Sequence, residues 1–158
     1  MKRGQAALEF IMTYGWAILA VLAAIAALAY FGVLNPGKYV PDKCLFKTGI
    51  TCTDFLITET SGTEVTVQFT MQNDMGEAIT IDAVSDVQAE IKNNGPEDCT
   101  PTGSSTIGAG ESEEFTCTGV AGNPGVDQPV KVKITFDYRK TAGTYTQKAP
   151  GEISTTVQ

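Results

Sequence analysis

The chain has 158 residues and a formal net charge of −7, room for one modest domain plus an appendage but not for a large enzyme. It contains no histidine, which removes Ser-His-Asp and Cys-His nucleophile pairs, His-ligated metals and imidazole acid–base chemistry, so the chain is not expected to be an enzyme. With 11 Lys plus Arg against 18 Asp plus Glu, most of the surface repels a phosphate backbone, and nucleic acid is not an expected partner.

Chain order begins with Met1-Lys2-Arg3-Gly4 and Gln5-Ala6-Ala7-Leu8-Glu9, after which no charged residue occurs from Phe10 to Gly37. A bilayer core about 30 Å thick needs about 20 apolar residues as helix, and Phe10–Leu34 exceeds that. Lys2 and Arg3 stay on the cytoplasmic side by the positive-inside rule, which puts everything after Leu34 outside, with Tyr30 and Phe31 near the outer interface. Asn35-Pro36-Gly37 ends the helix. Tyr14, Ile18, Val21, Ile25 and Leu28 form a bulky stripe at helical spacing, and Ala17, Ala20, Ala24 and Ala27 form a small-residue stripe beside it that lets helices approach closely. Three readings of this segment compete. One is a secretory signal cut near Ala27-Leu28-Ala29, although its apolar run is too long and Glu9 is out of place. The second is a permanent anchor, for which Glu9 is merely an interfacial charge.

The third takes the residues together. Lys2-Arg3-Gly4, Gln5, a small residue at Ala7, Glu9 and the run Phe10-Ile11-Met12-Thr13-Tyr14-Gly15-Trp16-Ala17-Ile18-Leu19 resemble the class III signal peptide of archaeal type IV pilins. Ala7 departs from the family's more usual serine. The resemblance covers about the first 35 residues and is specific only in combination. It implies a membrane precursor cut by a prepilin peptidase between Gly4 and Gln5. The helix is then retained as the core of a surface filament built from many copies of the chain, with a cytoplasmic assembly ATPase and a membrane platform protein as partners. It also implies that Glu9 pairs with the new amine on Gln5 of a neighbouring subunit, and burial without that partner would cost several kcal/mol, so pairing would select register. Adhesion is the role such filaments imply. The alternatives are a membrane-anchored extracellular binding domain and a minor subunit of a secretion or uptake pseudopilus.

The remainder reads as β. Thr63–Met71 alternates with Val65, Val67, Phe69 and Met71 on one face, and Val130–Tyr138 is the strongest strand. Weaker strands are expected at Asp54–Thr60, Ala78–Ile91, Glu113–Thr118, Thr144–Lys148 and Ile153–Val157. Turn-rich separators lie between, among them Asn73-Asp74-Met75-Gly76 and Asn93-Asn94-Gly95-Pro96. Six or seven short half-buried strands argue an immunoglobulin-like antiparallel β-sandwich, giving an α+β chain: leader 1–4, helix 5–34, linker 35–43 and extracellular head 44–158.

Outside the cytoplasm the four cysteines, Cys44, Cys52, Cys99 and Cys117, favour disulfides, and local pairing of Cys44 with Cys52 and Cys99 with Cys117 is the simplest of three connectivities. The second bond would staple the Asn93–Ser112 excursion, which has little apolar content. Glu97-Asp98 and Glu111-Ser112-Glu113-Glu114 match no EF-hand spacing and read as solvated surface rather than calcium ligands, so no metal or cofactor is expected. No Asn-x-Ser/Thr sequon occurs.

Overall fold

A computed structural model describes residues 2–31, 41–47 and 49–158, with side chains from Leu8 onward. The chain divides into two units, Met1–Lys38 and Tyr39–Gln158. The first contains one helix, α1 (Lys2–Tyr30), about 43 Å long at 1.5 Å per residue. Phe31 closes its end by donating its N–H to the Ala27 carbonyl. The expected stop at Asn35-Pro36-Gly37 and most of the 35–43 linker lie outside the described residues.

The head is an antiparallel, nearly closed sandwich. Its strands are β1 (Lys43–Phe46), β2 (Ile50–Ser61), β3 (Glu64–Asn73), β4 (Ile79–Thr80), β5 (Val87–Ile91), β6 (Glu97–Pro101), β7 (Thr106–Ile107), β8 (Ser112–Ala121), β9 (Pro129–Lys140), β10 (Thr146–Lys148) and β11 (Gly151–Thr156). Hydrogen-bonded neighbours run β1-β11-β9-β5-β6-β8-β3-β2, with β10 on β9 and β4 between β9 and β7. One sheet therefore holds β1, β11, β9 and β5, the other holds β8, β3 and β2, and β6 joins them by pairing with both β5 and β8.

Alternation decides which strands form and which way they face. β3 buries every second residue from Val65 to Asn73, and β9 does so from Val130 to Tyr138. The two inner faces meet through a row of rings: Phe46 to Phe69 at 5.9 Å, Phe69 to Phe115 at 5.5 Å, Phe115 to Phe136 at 6.0 Å and Phe136 to Tyr138 at 5.7 Å between centroids. Each such contact adds about 0.5–1.5 kcal/mol beyond simple burial.

Three expectations need correction. The described head has eleven strands rather than six or seven, because short pieces without a strong pattern are paired into the sheets. Ala78–Ile91 is not one strand but β4, a 3-10 turn at Val84–Asp86 and β5. Its buried residues Ile79, Ile81, Val87, Ala89 and Ile91 share one parity and imitate a continuous strand. The Asp86 carboxylate breaks it by accepting the N–H groups of Asp82 (3.1 Å) and Ala83 (2.9 Å), an alternative to ladder bonding that a short acidic side chain provides. The Asn93–Ser112 excursion contains β6 and β7, and β6 is held by backbone pairing to its neighbours and one buried residue, Cys99, rather than by an apolar face.

Two bonds lock the architecture. Cys99 and Cys117 are direct register partners on β6 and β8, with Cα atoms 4.1 Å apart, and are disulfide-linked. Cys44 and Cys52 are also linked, at a Cα separation of 5.9 Å, and this bond joins β1 to β2, the two ends of the strand order. Gln158 completes the closure from the other direction: its N–H donates to the Ile57 carbonyl at 2.9 Å and its carbonyl accepts from Glu59 N–H at 3.0 Å. Further along β2, a bulge between Cys52 and Asp54 interrupts its ladder with β3, and the Asp54 carboxylate accepts Phe55 N–H at 2.9 Å.

Candidate functional site

In the helix the apolar residues have nowhere to go within their own unit. Leu8–Tyr30 is 23 residues long with mean hydropathy 2.1, long and apolar enough to cross a membrane, and none of it is buried. The stripe foreseen from spacing is present as helix: Tyr14, Ile18, Val21, Ile25 and Leu28 are all exposed, and Ala17, Ala20, Ala24 and Ala27 fall within the same α1. Apolar surface continues beyond that stripe, however, with Met12, Leu19, Leu22 and a 72% exposed Trp16 on other sides of the cylinder. A helix apolar all round is suited to lipid or to several packed neighbours rather than to one partner face. Phe10 and Tyr14, one turn apart, contact at 4.9 Å.

Lys2, Arg3, Gly4 and Gln5 fall in the opening turns of α1, but their side chains lie outside the described residues. Glu9 is exposed, and its backbone carbonyl accepts the Thr13 hydroxyl at 2.8 Å, which leaves its carboxylate as the acidic group at the mouth of the apolar stretch. None of the side chains described from Leu8 to Phe31 is basic.

In the head, the acidic clusters serve turns and one cross-strand pair. Glu111 accepts Gly108 N–H at 3.0 Å, Glu113 accepts Gly103 N–H, and Asp98 accepts the Gln88 amide at 2.8 Å. Among the described residues, no three His, Cys, Asp or Glu side chains converge as metal ligands do. A more consequential polar residue was hidden in a turn signal. Asn73, expected only as a separator, ends β3 with its side chain buried, and its amide donates to the carbonyls of Glu77 (2.8 Å), Ile107 (3.0 Å) and Gly108 (3.1 Å) while its carbonyl accepts Met75 N–H at 3.1 Å. Its position two residues beyond Met71, on the buried parity of β3, was the available signal.

Ion pairs gather around β9: Lys131–Glu152 at 2.9 Å, Arg139–Asp82 at 2.6 Å, Lys140–Glu77 at 2.6 Å and Lys148–Asp137 at 2.7 Å. The hydrogen bond to Glu77, and then its charge, raise the Lys140 pKa. Burial raises that of Tyr138, with the Lys140 charge working against it and Glu77 adding to it. The Tyr138 hydroxyl donates to the Gln147 side chain at 3.1 Å.

No family model matches the sequence, and no curated protein matches it. Among solved structures, similarity is found to a chain of the archaeal flagellum of Methanospirillum hungatei strain JF1, with 9% identity and a TM-score of 0.33, covering 99% of this chain and 92% of that one.

Proposed function

We propose that this chain is a structural subunit, not an enzyme, which polymerises through its N-terminal helix into an extracellular surface filament of the archaeal type IV pilus kind. The observation that carries this reading is the separation of the chain into a disulfide-closed head and a helix with an apolar stretch of 23 residues exposed around its whole circumference. Exposed apolar area on that scale marks a missing partner. A bilayer satisfies it before assembly, and copies of the same helix satisfy it afterwards. Cleavage between Gly4 and Gln5 by a prepilin peptidase frees an amine that Glu9 of a neighbour pairs with, and the assembly ATPase and platform protein supply work and position. Adhesion is the role of the finished filament.

The test is mass spectrometry of the N-terminus in filaments sheared from cells, compared with the membrane fraction. A sheared product beginning at Gln5, or its cyclised form, with the helix attached supports the reading. Intact Met1 found only in membranes replaces it with an anchored binding domain, and a soluble product beginning at Tyr30 replaces it with an ordinary secreted head. Glu9→Gln assembling at the wild-type rate would remove the register role.

A further inference from the structure

The two faces of the head differ in charge. The strands β2, β3, β6 and β8 each carry carboxylates and include neither Lys nor Arg, whereas Lys43, Lys131, Lys133, Arg139, Lys140 and Lys148 all lie on β1, β9 and β10. Of the outward groups on the first face, Asp54 and Glu114 line a shallow groove with Leu56, Gln68 and Thr70, behind which Phe55 and Phe69 pack into the core. Leu56 is 36% exposed there. The second face has the converse shape. Leu45 protrudes from β1, 61% exposed, on the same side as Lys43. Register places Lys43 and Lys131 on either side of Ser154, and Leu45 and Lys133 on either side of Glu152. Leu45 beside Lys43, Lys131 and Lys133, with Glu152 between them and paired to Lys131 at 2.9 Å, thus answers a groove in which Leu56 lies beside carboxylates.

These faces cannot meet within one copy. Phe69 and Phe115 point inward from β3 and β8 and reach Phe136 of β9 in the core, so the outer surfaces of β3/β8 and β9 look in opposite directions. We propose that the occupant of the acidic groove is a second copy of this chain, docked by its Leu45, Lys43, Lys131 and Lys133. Such a contact is heterologous, the same two different patches meeting at every step, and heterologous contacts propagate into filaments. It also answers a repulsion problem: every Asp and Glu but Glu9 belongs to the head of a chain with net charge −7, so heads gathered by their helices repel unless the basic row is set against the acidic face. The contact refines the filament reading above, and its test separates the two.

Four full-length chains are compared in cells that make the filament: wild type, Lys131→Glu with Lys133→Glu, Asp54→Lys with Glu114→Lys, and all four changes together. Each half reversal opposes like charges and is expected to lower sheared-filament yield by about tenfold, while the complete swap inverts the sign on both sides and returns to within about threefold of wild type. Protease resistance of the detergent-extracted chain verifies that the head is folded; a half reversal that fails this check is replaced by its Gln counterparts, which remove attraction without adding repulsion and are expected to lower yield about threefold. Half reversals, or those Gln counterparts, that assemble like wild type overturn the contact, as does a swap no better than its halves. If wild type makes no filament, the filament reading falls and the contact is judged in micelles, where helices of separate chains stay apart. Wild type and swap should then sediment as larger species at about 20 mM salt and separate at about 500 mM, with half reversals single at both. Sedimentation indifferent to salt and to reversal overturns it.

Discussion

The helix and the head solve the same problem in opposite ways. In the head, Val65, Val67, Phe69, Phe115 and Phe136 are withdrawn from water by neighbouring strands of the same chain. In the helix, Ile18, Val21, Trp16 and Leu22 are as apolar and remain exposed. A single cylinder has no second layer to bury against, so its free energy depends on a bilayer or on other copies, while the head carries its partner surface within itself. The difference predicts that damage to one region leaves the other unchanged. The chain's single tryptophan, Trp16, lies in α1, so its fluorescence reports the helix environment, and the β signal in circular dichroism reports the head.

The largest expected break is in the head. Reducing both disulfides opens loops with sequence separations of 8 and 18 and should cost about 5 kcal/mol on the loop-entropy account. Denaturant unfolding of the detergent-solubilised chain should show the β transition shifted while Trp16 emission in the micelle stays put. Asn73→Ala removes the donor for three carbonyls and should cost about 3 kcal/mol, read from the same transition.

The converse change is Leu19→Arg, at the middle of the apolar stretch. It should raise the cost of membrane insertion by about 3 kcal/mol, seen as loss from the membrane fraction, with the head's unfolding midpoint unaltered. A sharper probe of head packing is Gly151→Ala. The Phe46 ring lies across Gly151, its register partner, so an added Cβ would collide with it, and a loss of about 1–2 kcal/mol is expected.

The smallest effect is in pH. Tyr138 and Lys140 both have raised values in the folded head, so folding tightens their hold on a proton. That contribution is complete below the ordinary values near 10 and is lost as pH rises through the folded ones. Head stability should therefore decline above about pH 10, and Lys140→Met with Glu77→Met should flatten part of that decline. Trp16 emission should not follow it.

Much of this division was legible before any coordinates. The uncharged run after Glu9 announced the helix, and the alternation in β3 and β9 announced the inner faces of the sandwich, because burial on one side of a strand leaves a period of two. The strands that escaped notice have no such period. β1 contributes four residues, β7 two, and β6 buries little besides Cys99; each is a strand because a neighbour offers it a ladder. In the same way Ala78–Ile91 looked continuous until Asp86 turned the backbone.

What the amino-acid sequence alone determined was the character of each region: an apolar helix without charge, and a polar, cysteine-containing β head. Only tertiary structure decided that Cys44–Cys52 and Gln158 close the two ends of the sheet order, that Asn73 ties three segments together, and that Leu45 with its neighbouring lysines and a carboxylate-flanked groove face opposite ways. These depend on residues far apart in the chain becoming neighbours, and local propensity carries no record of which distant strand supplies the other half of a ladder.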